Sequence, residues 1–145
     1  MSTSAPMTAD ALFQRYAQTF RSRDVEAIGR LHTEQSRFQL HSGEQPVVGR
    51  AAIQERFARF FAQWPEMDFV VKRVLTGSSH WVLDWALTAR LPGAGGGTRQ
   101  VQFDCIDLVT VDAEGLVAAK DTFVDLVQVQ AALKAAAAPQ AAAAA

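Results

Sequence analysis

The segment VQFDCIDLVTV, residues 101–111, alternates apolar and polar side chains in the way that predicts a half-buried β-strand. Asp107 lies in the middle of its apolar face. Because an unpaired carboxylate is costly to bury, an acid at this position indicates a special environment inside the fold. The other members of that face are Val101, Phe103, Cys105, Val109 and Val111.

Composition narrows the class of protein. The chain has 145 residues, 49% of them hydrophobic and 20% charged, as expected for one soluble globular domain. The formal net charge is −1 and the pI about 6.3, without a basic stripe, so neither nucleic acid nor a membrane is an expected partner. No signal peptide or apolar membrane span is recognisable, which predicts a cytoplasmic protein.

The cysteine and histidine content argues against a metal site. Cys105 is the one cysteine in the sequence, so an intrachain disulfide or a cysteine-based zinc site is excluded. The three histidines are far apart and none is spaced i, i+4 from another. We therefore expect no metal.

Helical patterns dominate the first half of the chain. The spacing of Leu12, Tyr16 and Phe20 predicts a first helix from Thr8. A second, short helix is predicted after Asp24, and a third over about 50–63, ended by Trp64-Pro65. The stripe of the second helix is Val25, Ile28, Leu31 and His32.

Strands dominate the second half. SRFQLH (36–41) predicts a first strand, followed by a loop through Pro46 and Gly49. A meander of long strands is predicted from four segments, which are MDFVVKRVL, HWVLDWALTARL, VQFDCIDLVTV and LVAAKDTFV. A last helix is predicted at Asp125, with Gln128 completing a capping box.

This order predicts an α+β fold in which a curved, mostly antiparallel sheet surrounds a conical cavity closed by three N-terminal helices. Such a cavity is a natural site for a small molecule. Residues 1–7 are expected to form a flexible arm, residues 8–134 one domain, and residues 135–145 a low-complexity, alanine-rich tail.

Several segments resemble bacterial ketosteroid isomerases in the nuclear transport factor 2-like superfamily, which also includes polyketide cyclases and limonene epoxide hydrolase. MTADALFQRYAQTF and RDVEAIGRL resemble their first two helices, and GRAAIQERF resembles their third. FDCIDLVTVDAEGLV resembles the strand that carries their acidic oxyanion donor. The resemblance covers roughly residues 7–130 and implies the same cone-shaped fold.

The resemblance implies an oxyanion hole. It equates Tyr16 with the family's tyrosine and Asp107 with a protonated acid, and both would donate hydrogen bonds to a dienolate. An apolar cavity would raise the pKa of such an acid. Leu40, however, occupies the place of the family's general base, and leucine cannot accept a proton.

Two residues are candidates for the missing proton carrier. His41 adjoins Leu40, but strand alternation would direct it to the other face unless the strand bulges or ends there. Lys120 belongs to the cavity side of the last strand, where a desolvated lysine would serve as a base or a Schiff-base nucleophile. Lys120 would equally form an ion pair with Asp107 and keep that acid ionised.

Other side chains are expected around the ligand. His32 would orient Tyr16 or act only as a buried histidine. Structural interpretations also stay open for the catalytic candidates: Tyr16 as a core tyrosine, His41 as a loop residue and Lys120 as a surface lysine. The expected ligand-binding residues are His32, Leu40, Phe57, Phe61, Trp85, Leu87, Phe103, Thr122 and Val124.

The resemblance, together with these residues, implies an isomerase or cyclase that acts by proton transfer beside the carbonyl of a small hydrophobic polycyclic ketone, without a cofactor. A binder or dimerisation module that has lost its base is the first alternative. Epoxide opening or hydration is the second, although VLDWAL lacks the R-x-D pattern of a limonene epoxide hydrolase. The mixed outer face of the sheet predicts a homodimer.

Overall fold

The computed structural model describes residue 5 and residues 7–138, which form four helices and six strands. The helices are α1 (Ala9–Arg21), α2 (Val25–Arg30), α3 (Arg50–Gln63) and α4 (Leu126–Ala137). The strands are β1 (His32–His41), β2 (Val47–Val48), β3 (Asp68–Thr76), β4 (His80–Pro92), β5 (Thr98–Val111) and β6 (Val117–Val124). Their order along the chain is α1-α2-β1-β2-α3-β3-β4-β5-β6-α4.

The strands form one curved sheet in the order β2-β1-β6-β5-β4-β3. Strands β1 and β6 pair in parallel, whereas every other neighbouring pair is antiparallel. Thr122 on β6 is the register partner of Leu40 on β1 and of Asp107 on β5. Directly paired residues share a face of the sheet, so these three side chains belong to the same, inner face.

Helices α1 and α3 cover the concave face. Thr8 caps α1 by accepting a hydrogen bond from the Ala11 backbone amide. The helix then buries one apolar side, which includes Leu12, Phe13, Tyr16 and Phe20. This arrangement confirms the predicted α+β cone.

Helix α4 lies against the part of β5 that extends beyond its pairing with β6. Asp125 caps this helix as predicted, because its side chain accepts a hydrogen bond from the backbone N–H of Gln128. The Gln128 side chain does not return to the cap: it accepts from the Asp104 amide and donates to the Asp104 carboxylate. Instead of completing the expected capping box, Gln128 thus forms hydrogen bonds that join α4 to β5.

The first strand begins earlier than predicted. His32 is not on the stripe of α2, which ends at Arg30, but opens β1 beside Val117. The register shifts between His32 and Arg37, and this irregularity hides the period-2 alternation that would have marked the strand. Val47–Val48, expected in a loop, forms the short edge strand β2 against β1.

The ends of the chain are described in part. Helix α4 continues to Ala137, three residues into the predicted tail, and Ala136 is buried. Residues 139–145 of that tail, and residues 1–4 and 6 of the predicted arm, lie outside the described residues. Within the described part of the chain, none of the helices has the length and apolar character needed to cross a membrane.

Candidate active site

A cavity of about 520 Å³ lies between the concave face of the sheet and helices α3 and α4. Most of the expected ligand-binding residues line it: Leu40, Phe57, Trp85, Leu87, Phe103, Thr122 and Val124. His32 and Phe61 are buried but do not belong to the lining. The cavity is therefore largely aromatic and aliphatic, with a few polar groups.

Lys120 is the charged side chain at the inner part of this cavity. Its side chain is only 5% exposed, and its Nζ lies 3.5 Å from Oδ2 of Asp107, itself 6% exposed. Thr122 donates a 2.8 Å hydrogen bond to the other carboxylate oxygen, Oδ1. The expected buried acid on β5 is thus present, and its partner is the lysine two residues before Thr122.

Aromatic rings surround the Lys120 ammonium group. Nζ lies 4.6 Å from the ring centroid of Tyr16, 5.0 Å from that of Phe20 and 5.3 Å from that of Phe57. Cation–π attraction and Asp107 both favour the charged form of the lysine. Burial opposes them and is the largest effect, so the pKa of Lys120 is lowered from its ordinary value of 10.5.

These contacts bear on the predicted oxyanion role of Asp107. Its carboxylate accepts from Thr122 and faces the Lys120 ammonium, which is the geometry of an ion pair. To donate a hydrogen bond to a ligand, Asp107 would have to exchange at least one of these contacts. Of the alternatives that the sequence leaves open, the structure shows the ion pair.

Tyr16 belongs to a buried hydrogen-bonded chain. Its hydroxyl lies 2.8 Å from Nε2 of His32, and Nδ1 of His32 lies 2.8 Å from the Ser36 hydroxyl. Burial, followed by the charges of Lys120 and Arg50, lowers the pKa of His32 to about 3. Burial, followed by Asp107, raises the pKa of Tyr16 well above its ordinary value, so the phenol keeps its proton.

Tyr16, Asp107 and Lys120 meet at a second, much smaller void of about 20 Å³. This volume has room for about one water molecule and not for a ring system. Trp85 also borders the void, and its indole Nε1 has no hydrogen-bond partner among the described residues. The structure therefore brings the predicted oxyanion donors together, but behind Lys120 and outside the lining of the large cavity.

His41 is not brought to this site. Its Nε2 lies 2.7 Å from Asp121, and its ring stacks on Phe123 at a centroid distance of 4.0 Å. Both partners follow the outer-face alternation of β6, opposite to Thr122. Strand β1 continues through His41 in regular register, so the bulge that would have turned it inward is absent at this point.

Several lining residues escaped the sequence analysis. Arg56 and Glu44 form an ion pair of 2.8 Å at the cavity. The i, i+4, i+7 spacing of Arg56, Phe60 and Gln63 on α3 could have signalled Arg56, but charged helix residues normally face solvent. Cys105 also lines the cavity, and burial raises the pKa of its thiol, which makes it a poor nucleophile.

Comparison with known proteins identifies the family. Residues 13–120 match the model of the SnoaL-like domain, which is most of the 145-residue chain. The chain therefore belongs to the SnoaL-like family, within the expected nuclear transport factor 2-like superfamily. None of the curated proteins matches its sequence.

Solved structures share the fold at low sequence identity. A protein from Shewanella denitrificans OS-217, provisionally assigned as a SnoaL-like polyketide cyclase, is 14% identical over 87% of this chain and 96% of its own, with a TM-score of 0.76. SalBIII, an epoxide hydrolase/cyclase-like enzyme of pyran ring formation in salinomycin, is 18% identical over 83% and 92%, with a TM-score of 0.70. A hypothetical protein with a ketosteroid isomerase-like fold from Catenulispora acidiphila DSM 44928, in complex with trimethylamine, is 17% identical over 86% of this chain and 93% of its own, with a TM-score of 0.72.

The low pKa of His32 predicts an acid-sensitive fold. Between pH 6.5 and about 3 the unfolded chain binds a proton at His32 that the folded chain does not. The stability from this residue is therefore complete above pH 6.5 and falls as the pH drops towards 3, by up to about 1.4 kcal/mol per pH unit. Urea unfolding of His32→Gln across this range should show a shallower pH dependence than the wild type. The exposed His80→Gln serves as the control, and an unchanged slope in His32→Gln would contradict the neutral, buried imidazole.

The Lys120–Asp107 pair predicts strong coupling between two substitutions. Lys120→Met and Asp107→Asn should each lower the free energy of unfolding by about 3 kcal/mol, because each leaves a buried partner uncompensated. The double variant should lose much less than the sum, as measured by urea unfolding at pH 7. The same cycle on the exposed pair Lys72–Asp104 should be close to additive. Additive losses at Lys120 and Asp107 would show that the two groups do not interact.

Proposed function

We propose that this protein is an enzyme that moves a proton beside the carbonyl group of a flat, hydrophobic ketone, with Lys120 as the proton carrier. The observation that carries the proposal is the position of Lys120, whose buried ammonium group borders the large cavity while Asp107 holds it from behind. The reaction would be an isomerisation or a cyclisation, since both pass through an enol or enolate.

The shape and lining of the cavity support a flat apolar ligand. Its wall includes Phe57, Phe60, Trp64, Trp85 and Phe103. Aromatic side chains supply large apolar contact areas and stack on flat rings. A volume of about 520 Å³ lies within the range of small-molecule sites, which runs from about 300 to 1,000 Å³.

The electrostatics support Lys120 as the base. Burial lowers its pKa, so the neutral amine is accessible at a lower pH than for an exposed lysine. The amine would take a proton from the carbon next to the carbonyl, which leaves an enolate, and would return the proton at another carbon. Asp107 would stabilise the ammonium form between these steps, which makes it a positioning residue.

In this proposal Tyr16 and Asp107 position Lys120, whereas the resemblance implies that they donate hydrogen bonds to an oxyanion. The hydroxyl of Tyr16 is bound to His32, and its ring faces the ammonium group. Tyr16 would therefore position Lys120 through its ring. The oxyanion hole remains a second hypothesis, in which the ligand oxygen enters the 20 Å³ void beside Tyr16 and Asp107.

Two structural neighbours are described as ring-forming enzymes, which is compatible with a cyclisation. One is provisionally assigned as a polyketide cyclase and another is described as epoxide hydrolase/cyclase-like. Ring closure of a polyketide by carbon–carbon bond formation begins with an enolate, which agrees with a proton carrier in the cavity. At such low identity these neighbours share the fold, and they identify no particular reaction or substrate.

Proton exchange at a model ketone tests the proposal. The protein should accelerate deuterium incorporation beside the carbonyl of 2-tetralone in D₂O, followed by NMR, and Lys120→Met should reduce the enzymatic rate about 100-fold or more. Lys72→Met, which removes an exposed lysine of the outer face, is the matched control and should retain the full rate.

The pH profile of this exchange separates the two hypotheses. The rate should rise with pH and level off above the lowered pKa of Lys120. Asp107 raises that pKa, so Asp107→Asn should move the inflection to lower pH. Full activity of Lys120→Met together with loss of activity in Tyr16→Phe and Asp107→Asn would favour the oxyanion hole. Ligand binding without any exchange would identify a non-catalytic binder.

We also propose that the protein forms a homodimer through the outer face of the sheet. Leu75, Ile106, Leu108 and Phe123 are 37–54% exposed there, and their strand pairings make the patch continuous. Arg73 and Asp84 border it with both signs of charge, which suits a contact between identical surfaces. Sedimentation equilibrium should give a dimer for the wild type and a monomer for Leu108→Lys. A monomeric wild type would rule out this assembly.

A further inference from the structure

The large cavity has a second charged group, which the proton-transfer proposal does not use. Arg56 on α3 lines the cavity with a side chain only 10% exposed. Its Nη2 donates a 2.8 Å hydrogen bond to Oε2 of Glu44, which is 43% exposed and lies in the loop after β1. Ser42 donates to the same oxygen at 3.2 Å.

The guanidinium group of Arg56 has unused hydrogen-bonding capacity. It carries five N–H donors, and the structure pairs one of its nitrogens with Glu44. Within residues 7–138, Trp85 Nε1 is the buried side-chain polar atom that has no hydrogen-bond partner. The unpaired nitrogens of Arg56 are not buried in this way, so they remain accessible. A planar fork of donors at the edge of an apolar cavity matches the two oxygens of a carboxylate.

The charges around the cavity favour an anion. Lys120, Arg56 and Arg59 line it as cations and Glu44 as an acid, with Asp107 directly behind Lys120. Three cations against two acids leave one positive charge. Among the described residues, no acid lies within ion-pair distance of Arg59.

Lys120 and the Arg56–Glu44 pair lie towards different ends of the cavity. Strand β1 runs parallel to β6 with Leu40 opposite Thr122 and His41 opposite Phe123, and Glu44 follows these pairs, beyond Lys120. Lys120, Thr122 and Val124 line the cavity in turn, and the chain then continues into Leu126 on α4. Four residues of a strand span about 13 Å. An elongated ligand can therefore meet Lys120 at one end and the outer part of the cavity at the other.

We infer that the substrate carries a carboxylate at the end remote from its ketone, and that this carboxylate replaces Glu44 on Arg56. The inference rests on the proposed function only in placing the ketone at Lys120. Glu44 occupies the guanidinium group in the free protein and swings into solvent when the ligand binds. The ligand class is thus an aromatic or polycyclic keto acid.

This inference is tested with two probes that differ in whether they carry a carboxylate. Dissociation constants are measured by titration calorimetry for 2-naphthoate and for its neutral methyl ester, which have the same ring system. The wild type should bind 2-naphthoate at least about tenfold more tightly than the ester, because charge-assisted hydrogen bonds form only with the acid. Arg56→Gln should remove this preference, whereas Arg90→Gln, at an exposed position outside the cavity lining, should retain it.

Glu44→Gln provides the sharper test, because Glu44 is exposed and its replacement does not endanger folding. Removing the competing carboxylate should strengthen 2-naphthoate binding about fivefold or more and leave the ester unchanged. Equal affinities for acid and ester in the wild type, or an unchanged affinity for the acid in Glu44→Gln, would overturn the inference.

The two proposals fail in different ways. A preference for 2-naphthoate without deuterium exchange into 2-tetralone would retain the anion site and refute the proton carrier. Exchange without any preference for the acid would retain the enzyme and refute the carboxylate site.

Discussion

The ion pair between Lys120 and Asp107 is the interaction on which the interior of this protein depends. Two charges taken out of water are stable only when they face each other and their other contacts are satisfied. Thr122 satisfies Asp107, and the rings of Tyr16, Phe20 and Phe57 enclose Lys120. The strand register places these groups together: β6 lies between β1 and β5, so its inward residues meet both the aromatic cavity and the acid.

The burial of these groups divides the site into two parts with different chemistry. Behind Lys120, the chain of Tyr16, His32 and Ser36 is fully buried and keeps a protonated phenol and a neutral imidazole over the ordinary pH range. In front of it, the cavity is large enough for a ligand. Lys120 is the charged group that borders both, which is why the proposed chemistry centres on it and not on the two predicted oxyanion donors.

The fold and the inner face of the sheet were predictable because strand alternation is a strong signal. The strand VQFDCIDLVTV showed that Asp107 would be buried, and the pattern of the last strand assigned Lys120 to the cavity side; both side chains are buried. The true start of β1 was not predictable, because the irregular register between His32 and Arg37 interrupts the alternation. The meeting of Glu44 with Arg56 depends on how a loop folds over a helix, and periodicity carries no information on such a contact. Whether Asp107 faced a ligand or a lysine was likewise a matter of side-chain geometry.

The most direct test of this account is the titration of the Lys120 side chain itself, followed by NMR of protein labelled with ¹⁵N at the lysine ζ positions. Lys120→Met identifies the signal, and exposed Lys134 on α4 provides the internal reference. The account predicts that Lys120 loses its proton below the ordinary lysine pKa of 10.5, and at a still lower pH in Asp107→Asn. A Lys120 pKa equal to that of an exposed lysine, and unchanged in Asp107→Asn, would contradict it.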